Sequence, residues 1–395
     1  MKILVIAPQP FFSPRGTPFS VYYRTLISAE LGADIDFLTY GQGQDVDIPG
    51  VRFFRTPKLN LLGPIKIGPS GVKLIHDGFI FLWMLWLLLR NRYDVVQAHE
   101  EAVFLALPLK PLFRFKLLYD MHSSLPQQLS NFNFTTSKLL IRLFTWLENK
   151  SLAHSEAIIT ICPDLFNYVN SVLVKGSDRN FLIENSILEP VRLRQCQSGD
   201  TSTADPEPIP PIPEHFRQRI VYAGTLEPYQ GIDKLIDAIP HVIASAPEAG
   251  FIIVGGTDQQ VDQFSAQARG LGVVDHVLFT GRVSQAHARF YSEQATVLVS
   301  PRSSGTNTPL KIYEQLASGI PLVATAIYSH TQVLTDTVAF LVQPKSHDMA
   351  RGIIEAMDPQ GEGQAKARAA RTLYATEYAR PVYVRKLKQV LDLLS

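Results

Sequence analysis

The segment VLVSPRSSGTNTPLKIYEQLASGIPLVAT, from Val297 to Thr325, contains the pattern that decides the fold of this chain. Its first apolar run, Val297–Val299, predicts a buried strand that ends at Ser300-Pro301. A loop without large hydrophobic residues follows, from Arg302 to Thr308. After a short helix, Leu322–Ala324 predicts the next strand. We therefore expect a strand-loop-helix-strand unit.

The helix of this unit is predicted from Pro309 to Ala317. Pro309 stands where helices favour proline, Thr308 is the predicted N-cap, and Gly319 predicts the end of the helix. Leu310, Tyr313 and Leu316 form an apolar face, and the polar face consists of Lys311, Glu314, Gln315 and Ser318. A loop that presents backbone N–H groups at a helix N-terminus suits an anion, typically a phosphate. The segment therefore predicts a phosphate-type site.

The bulk properties indicate a globular protein of two domains. A chain of 395 residues is too long for one ordinary hydrophobic core. Its net charge of +1 gives no reason to expect a nucleic-acid partner. The two cysteines, Cys162 and Cys196, lie in a chain that is large enough not to need a disulfide bond, which favours a reduced, cytoplasmic setting. The short apolar run Ile3–Ala7 predicts a first strand rather than a signal peptide.

The longest apolar run is FIFLWMLWLLL, from Phe79 to Leu89. Eleven residues are too few to cross a bilayer as a helix. The favoured prediction is a buried helix before the strand at Val95. The alternative is that this helix, with Trp83, Trp86 and the arginines that follow it, contacts a membrane surface.

Strands and helices alternate along most of the chain, which predicts two doubly wound, mainly parallel sheets. The first set of predicted strands is Ile3–Ala7, Ile35–Thr39, Val51–Arg55, Val95–Ala98, Leu117–Asp120, Ile158–Ile161 and Phe181–Ile183. The second set is Ile220–Ala223, Ile252–Val254, Val277–Thr280, Val297–Ser300, Leu322–Ala324 and Phe340–Val342. Between them, Gln197–Pro213 is rich in Pro, Ser, Thr and Asp without hydrophobic periodicity, which is typical of a linker.

Four regions follow from this pattern. They are an N-terminal Rossmann-like domain at 1–195, a linker at 196–215, a C-terminal Rossmann-like domain at 216–377 and a terminal helix at 378–395. Open α/β sheets bind ligands at the carboxyl ends of their strands. Site residues are therefore expected at those ends.

The run that starts at Glu314, E-Q-L-A-S-G-I-P-L-V, resembles the donor-site segment of the family 4 glycosyltransferases. These are retaining enzymes of the GT-B fold that use nucleotide-sugars. The resemblance implies two Rossmann-like domains that face each other across a cleft, with the C-terminal helix packing back on the N-terminal domain. It implies a glycosyltransferase of the hexosyltransferase type, in a setting such as bacterial glycan biosynthesis.

The resemblance also implies a role for the loop and helix of the opening segment. Glu314 matches the glutamate that takes the two ribose hydroxyls of the donor. The residues implied to hold the diphosphate are Gly305, Thr306, Asn307, Thr308, Pro309 and Leu310. The common family form has a second glutamate where this chain has Thr306, so the chain follows the variant with Thr-Pro-Leu-Lys before the glutamate.

The usual diphosphate cations of the family are absent from this chain. The family form G-R-L-x-x-x-K-G carries an arginine and a lysine where this chain has Thr225 and Gln230. Charge that develops on a leaving diphosphate must meet preorganised cations or amides. Arg302 and Lys311, which bracket the loop, are therefore the predicted catalytic substitutes. Arg282 and Val283 correspond to the family loop that meets the nucleotide base.

Three strand ends of the N-terminal half carry further candidates. Gly16 lies in a loop that matches the family's glycine loop near the donor phosphates. His99 ends the run Y-D-V-V-Q-A-H, which resembles the family's D-V-V-x-x-H, whose histidine contacts the donor sugar. Asp120 and His122 end the next strand and are predicted to line the acceptor side.

No metal site and no other cofactor is predicted. Asp34-Ile35-Asp36 and Asp45-Val46-Asp47 imitate the D-x-D metal motif of another glycosyltransferase fold. The first pair lies on a predicted strand and the second precedes a predicted turn. Patterns of two carboxylates this short arise often by chance.

The expected function is transfer of a sugar from a nucleotide-sugar donor to a glycan or lipid-linked acceptor, with retention of configuration. The expected location is cytoplasmic, with the inner face of the membrane as the alternative place of contact. Two other functions stay open at this point: a nucleotide-sugar 2-epimerase of the same fold, and a non-catalytic GT-B scaffold. The sequence does not identify the sugar, the base, the acceptor or the oligomeric state.

Overall fold

A computed structural model describes residues 1–13, 16–59, 63, 65, 71–126, 137–173, 176–187, 189, 191–193 and 209–395. The chain divides into two compact units. The first contains Met1–Ser198 and Arg380–Ser395, and the second contains Gly199–Ala379. Most of the predicted linker, from 196 to 208, lies outside the described residues.

The first unit is built on a seven-stranded parallel sheet. Its strands are β1 (Lys2–Ala7), β2 (Asp34–Thr39), β3 (Val51–Arg55), β4 (Val95–His99), β5 (Lys116–Met121), β6 (Ala157–Thr160) and β7 (Asn180–Leu182). Their order is β3-β2-β1-β4-β5-β6-β7. The interior strands are apolar along almost their whole length because both faces of the sheet are covered.

Helices of the first unit pack on both faces of this sheet. They are α1 (Gly16–Glu30), α2 (Gly71–Arg90), α3 (Ala102–Ala106), α4 (Lys110–Phe113), α5 (Lys138–His154) and α6 (Pro163–Val172). One core cluster joins the sheet to α2, α3, α5 and α6 through residues such as Met84, Val103 and Leu152. A second cluster joins the other face to α1 through Val21 and Tyr22.

The second unit repeats this plan with a six-stranded parallel sheet. Its strands are β8 (Gln218–Ala223), β9 (Ala249–Val254), β10 (Val277–Gly281), β11 (Val297–Ser300), β12 (Leu322–Thr325) and β13 (Phe340–Val342), in the order β10-β9-β8-β11-β12-β13. Its helices are α7 (Ile232–Ser245), α8 (Asp258–Gly270), α9 (Gln285–Glu293), α10 (Leu310–Ser318), α11 (Tyr328–Thr331), α12 (Ser346–Met357) and α13 (Gly363–Leu373). The strands predicted from the sequence are all present in the two sheets.

The last helix, α14 (Arg380–Leu394), belongs to the first unit. Tyr383, Leu387 and Val390 are buried in the same core cluster as α1. The prediction that the C-terminal helix packs back on the N-terminal domain is therefore confirmed.

Both sheets have a topological switch point, where the strand connections change direction. It lies between β1 and β4 in the first unit and between β8 and β11 in the second. Ligands of such sheets bind outside the carboxyl ends of the strands at this point. His99 is the last residue of β4, and the predicted phosphate loop begins after Ser300, the last residue of β11. Both therefore lie at the carboxyl end of a strand beside a switch point.

Candidate active site

The loops that follow β8 and β11 are fixed to each other in the second unit. Gly231 has a φ of 70°, and a Cβ at this position would collide with the carbonyl oxygen of Pro301. The amide N–H of Ser303 donates to the carbonyl oxygen of Tyr229 at 2.9 Å. Glycine at 231 is thus required both by backbone conformation and by the close approach of the second loop.

The helix after the β11 loop begins one residue later than predicted. Its N-cap is Pro309, with extended φ and ψ of −66° and 138°, so the predicted N-cap Thr308 is wrong. Leu310 is the first helical residue. The Thr308 hydroxyl is buried and has no hydrogen-bond partner among the described residues. Because buried polar atoms are normally paired, an unpaired hydroxyl at a helix N-terminus marks a place where a ligand group would supply the partner.

The two faces of α10 also differ in part from the prediction. Gln315 was expected on the polar face, but it is buried, and its amide donates to the Val299 carbonyl oxygen at 3.4 Å. The side chain therefore connects the helix to β11. Glu314, on the outward side, keeps 48% of its side chain exposed.

Lys311 lies in the corner formed by Gln230 and Thr225, the two positions at which the resembled family form has its lysine and arginine. Its Nζ donates to Gln230 Oε1 at 3.3 Å and lies 4.0 Å from the centroid of the Tyr222 ring. The Gln230 amide in turn lies 3.5 Å from the Thr225 hydroxyl. Burial, and then the charge of Arg302, lower the pKa of Lys311 to about 7. A poorly hydrated ammonium that has no carboxylate among these contacts is well suited to bind an anion.

Arg302 shapes the loop rather than standing free in it. Its guanidinium donates to the carbonyl oxygens of Ser304 at 2.7 Å and Asn307 at 3.1 Å. The same group fills the space beside Gly305, where a Cβ would collide with it. The carbonyl oxygen of Thr306 accepts from the Gln332 amide. The 302–307 loop is thus held by side chains that satisfy its carbonyl groups, and burial lowers the pKa of Arg302.

Glu314 has a partner that the sequence did not reveal. Arg289, on α9, places its Nε 3.8 Å from Glu314 Oε1. Burial raises the pKa of Glu314, and Arg289 opposes that shift. Arg282, which was predicted to meet the base, lies in the turn after β10, and the neighbouring Val283 packs partly into the core.

A buried histidine, His330, is hydrogen-bonded to the strand ends next to the 302–307 loop. His330 lies on the short helix α11 and is fully buried. Its Nε2 lies 3.0 Å from the Ser300 hydroxyl, and its Nδ1 lies 2.8 Å from the Thr325 carbonyl oxygen. The Thr325 hydroxyl donates to the Arg302 carbonyl oxygen. Burial lowers the pKa of His330 to about 4, so the imidazole is neutral and joins the ends of β11 and β12.

In the first unit, His99, Asp120 and His122 form one buried cluster. His99 Nδ1 and His122 Nε2 each lie 3.2 Å from an oxygen of the Asp120 carboxylate. The amide of Gln97 donates to Asp120 at 3.1 Å and lies 3.3 Å from His99 Nε2. His99 and His122 are only 1% and 3% exposed. Both ring nitrogens of His99 therefore contact protein groups.

The charge of this cluster is balanced by Arg24. The guanidinium of this α1 residue is fully buried and bonds to Asp120, to the Ile183 carbonyl oxygen at 3.2 Å and to the Tyr383 hydroxyl at 3.3 Å. Burial alone would raise the pKa of Asp120, but Arg24 and the imidazoles hold it well below its usual range. Burial also lowers the pKa of His99 to about 3, so this imidazole is neutral at pH 7. Asp120 is then the acceptor for a proton on His99 Nδ1.

The same three residues are close enough to hold a metal ion, since their ligand atoms lie within 4.8 Å of one another. The guanidinium of Arg24 is bonded to the only carboxylate of the set. A divalent ion would therefore add charge next to a buried cation, which is electrostatically unfavourable. The absence of a metal stays a prediction.

Gly16, the remaining candidate of the first unit, is the first residue of α1. The preceding loop residues, 14 and 15, lie outside the described residues. The sequence did not reveal Arg24 and Tyr383 because they join the cluster across long stretches of chain, without a local pattern. Gln97 lies within the quoted run, but it was read only as part of the strand.

Two Rossmann-like sheets, each with loops at the carboxyl ends of its strands, define an α/β protein of two similar domains. Two family descriptions match the chain: glycosyl transferases group 1 over residues 212–373, and the glycosyl transferase 4-like domain over residues 27–176. Together with the relatives below, they show that the chain belongs to the family 4 glycosyltransferases of the GT-B fold. It is therefore a glycosyltransferase.

The relatives act on lipids, as their names state. Phosphatidyl-myo-inositol mannosyltransferase of Mycobacterium tuberculosis is 32% identical over 341 residues, which cover 85% of this chain and 80% of the relative. The protein of the same name from Mycolicibacterium smegmatis is 26% identical and covers 96% and 91%. One subunit of the phosphatidylinositol N-acetylglucosaminyltransferase of Arabidopsis thaliana is 28% identical and covers 90% and 74%.

Solved structures show the same fold at low sequence identity. Sucrose-phosphate synthase from Thermosynechococcus elongatus is similar with a TM-score of 0.74 and 17% identity, over 100% of this chain and 98% of that chain. Anabaena HepE, in complex with UDP, is similar with a TM-score of 0.70 and 15% identity, over 100% and 99%.

Proposed function

We propose that this glycosyltransferase moves a sugar from a nucleotide-sugar donor to a lipid-linked acceptor, with retention of anomeric configuration. The observation that carries the proposal is the arrangement around the N-terminus of α10. The helix amides, the Thr308 hydroxyl and the Lys311 ammonium are the groups offered to a diphosphate there. Glu314 lies one turn further along the same helix, where it would bond the ribose hydroxyls.

In the proposed step, the acceptor hydroxyl attacks the anomeric carbon on the face from which the nucleoside diphosphate departs. The bond between that carbon and the phosphate oxygen breaks, and the diphosphate leaves with the electron pair. The acceptor proton passes to a departing phosphate oxygen, so no protein nucleophile is needed. Lys311 and the loop amides would stabilise the charge that develops on the diphosphate. Arg302 would act indirectly, by holding the loop that presents those amides.

For the first unit we propose that His99 contacts the donor sugar and that Asp120 and Arg24 position it. An ionised Asp120 favours one tautomer of His99 and fixes its ring orientation. Asp120 itself is fully buried, so its predicted role toward the acceptor would be exerted through the imidazoles. His122, on the same carboxylate, is the group proposed to reach the acceptor side.

The acceptor class and location rest on two observations. The relatives named above are phosphatidylinositol glycosyltransferases by name, which favours a lipid over a soluble glycan. One described helix, Gly71–Arg90, is long and apolar enough to span a membrane by length and composition, a test that core helices of soluble proteins also pass. We propose a cytoplasmic enzyme that works at the inner face of the membrane.

The two alternatives have less support. An epimerase needs acid and base groups beside the sugar, and the named relatives are transferases. A non-catalytic scaffold would have lost its diphosphate cations, whereas Lys311 occupies the corner beside Thr225 and Gln230.

Product analysis tests the proposed function. The protein is incubated with a panel of nucleotide-sugars and a membrane lipid extract, and release of nucleoside diphosphate is measured. The expected result is release that depends on the lipid, together with a glycolipid whose anomeric configuration by NMR equals that of the donor. An inverted product would refute retention, and an epimerised donor without glycolipid would refute transfer.

Glu314→Gln is expected to weaken nucleoside diphosphate binding about 30-fold. The amide keeps the shape of the side chain, but two hydrogen bonds lose about 1 kcal/mol each because the acceptor is no longer charged. Isothermal titration measures the change, and Glu355→Gln, which neutralises an exposed carboxylate on α12, is the matched control. If Glu314→Gln binds the nucleoside diphosphate as tightly as wild type does, Glu314 is not part of the donor site.

His99→Ala is expected to lower kcat roughly three- to tenfold while the Kd for the nucleoside diphosphate stays within about twofold of wild type. To bond the sugar, His99 Nε2 must exchange its contact with Gln97 for a sugar hydroxyl. One such hydrogen bond is worth about 0.5–1.5 kcal/mol, and the nucleotide does not share it. His154→Ala, at an exposed histidine of the same unit, is the control. Equal losses in kcat and affinity would mean that His99 is only structural.

Affinity for the nucleoside diphosphate is expected to fall between about pH 7.5 and pH 9. The pKa of Lys311 is about 7 in the free protein, and a bound anion raises it. Binding above pH 7 therefore requires proton uptake, so affinity is fully present below that pKa and declines as pH rises. Titrations of Lys311→Arg should be nearly flat over this range because arginine stays charged. Parallel profiles for the two proteins would contradict the assignment.

A further inference from the structure

One face of the first unit carries an apolar stripe that the core does not cover. On α2, one side is buried through Ile80, Met84 and Leu87. Along the opposite side the exposed fractions are 48% for Ile75, 56% for Leu82, 41% for Trp86 and 70% for Leu89. The spacing of seven, four and three residues places these four side chains on one helical face. The favoured prediction of a buried helix at Phe79–Leu89 is therefore only half right.

A second helix on the same side of the sheet shows the same pattern. Both α2 and α5 contribute to the core cluster on that side. On α5, Leu139, Leu143 and Trp146 are exposed at spacings of four and three residues. Leu112, on α4, is 71% exposed. A soluble protein rarely exposes so many large apolar side chains on one side unless that side binds a partner or a membrane.

Two cavities with basic linings flank α4. The first, of about 1090 Å³, extends from the end of α2 to α4 and is bordered by Leu88, Leu89, Leu112 and Phe113. The second, of about 780 Å³, lies between α4 and α5 and includes Trp146. Arg114 and Lys116 line both cavities. The further cations are Arg90 and Arg92 in the first cavity and Lys110 and Lys150 in the second.

The carboxylates in these linings are fewer than the cations and are already engaged. Asp94 accepts from the backbone N–H of Lys2 at 2.6 Å. Glu156 accepts from Lys110 at 2.6 Å and from the backbone N–H of Leu117 at 2.7 Å. Lys116 donates to the backbone oxygens of Leu394, the last residue of α14, and of Ser395, which follows it. Arg92 and Arg114 are exposed, so positive charge remains available to an anion.

Each helix also places a cation over its exposed tryptophan. Arg90 lies 4.7 Å from the Trp86 ring, and Lys150 lies 6.0 Å from the Trp146 ring. Tryptophan and basic residues at the margin of an apolar surface are typical of proteins that rest in a membrane interface. We propose that this face docks on a bilayer and that its two basic cavities bind the headgroup phosphates of anionic phospholipids.

The apolar stripes would enter the boundary between headgroups and acyl chains, while the cations stay at the level of the phosphates. Charge complementarity selects a bilayer as the occupant. This face carries exposed leucines and tryptophans together with more cations than carboxylates. A neutral protein surface would cover the apolar residues but leave the cations without a counter-charge. Binding should therefore require anionic lipid and weaken as salt increases.

Co-sedimentation with vesicles tests the proposal, using phosphatidylcholine alone and with phosphatidylglycerol. The full chain is expected to bind only the mixed vesicles at low salt. Arg92→Ala, Arg114→Ala and Lys150→Ala combined should reduce the partition coefficient about a hundredfold, since each cation near an anionic surface is worth about fivefold. The control combines Arg269→Ala, Lys345→Ala and Arg351→Ala, three cations of the second unit, and removes the same net charge.

Trp86→Ala with Trp146→Ala should also weaken binding to mixed vesicles at low salt, because it removes apolar contacts without changing the charge. Equal binding to both vesicle types, no binding to either, or equal losses in the two triple variants would overturn the proposal. Circular dichroism confirms that the variants are folded. Because no sugar donor is present, a negative result leaves the proposed transfer reaction untouched.

Discussion

Lys311→Ala is expected to lower kcat about a hundred- to a thousandfold. Removing one preorganised group that meets developing negative charge costs roughly 2.7–4 kcal/mol of transition-state stabilisation. Lys311 is the cation in direct contact with the corner formed by Thr225 and Gln230, where the usual family cations would stand. Steady-state kinetics with saturating donor measures the loss. A near-normal kcat would refute the claim that the diphosphate charge is met here.

A rescue experiment distinguishes a lost charge from a lost fold. Gln230 Oε1 lies 3.3 Å from Lys311 Nζ, so a lysine at 230 places its ammonium in the same corner. Gln230→Lys in the Lys311→Ala background is therefore expected to recover part of the activity, whereas Gln230→Met should recover none. Arg302→Ala should act differently. It frees the carbonyl oxygens of Ser304 and Asn307, and neither Gln230→Lys nor Thr225→Arg can restore the loop.

Arg24→Met is expected to lower the free energy of unfolding by about 3–5 kcal/mol. The substitution leaves the Asp120 carboxylate fully buried without its counter-charge, which is far more costly than losing both partners. Arg24→Met with Asp120→Asn should therefore be more stable than Arg24→Met alone. Denaturant unfolding followed by fluorescence measures the change in the unit that contains both residues.

A matched control is available on the last helix of the same unit. Lys388 and Asp392 form an ion pair in which each side chain is 60% exposed. Lys388→Met should change stability little, because exposed pairs are screened by water. If the double variant at Arg24 and Asp120 lost as much as the two single variants together, the pair would not be energetically coupled.

Acid should weaken the same pair. The folded pKa of Asp120 lies below its unfolded value, so the stabilisation it provides is present above the unfolded pKa, about 3.9. It is lost as pH falls below that value. Asp120→Asn should therefore show a shallower loss of stability on acidification than wild type.

The sequence predicted the sheets well and the interior of the site poorly, for a physical reason. Strands covered on both faces are continuous apolar runs, and such runs are readable without tertiary information. The helix predicted at Pro309–Ala317 is present at Leu310–Ser318, but its N-cap was predicted wrongly. Pro309 takes the extended cap conformation, and Thr308 has the residue type that usually takes it.

Residues joined across the chain left no local pattern. Arg24 and Asp120 are 96 positions apart, and Lys311 and Gln230 are 81 apart. His330 was overlooked because a histidine after a short strand carries no signal of its own. The sequence could not decide between a buried helix and the alternative in which Trp86 is exposed, since an apolar helix has the same sequence pattern whether one side or all sides are covered.

The proposed transfer depends on a nucleoside diphosphate site at α10 of the second unit. Isothermal titration of the intact protein with the diphosphates of uridine, guanosine, adenosine, cytidine and thymidine measures this binding. We expect at least one of the five to bind, and we expect Lys311→Ala and Glu314→Gln, but not Glu355→Gln, to weaken that binding. If the folded protein binds none of the five, the chain is a scaffold without a donor site and the proposed function is wrong.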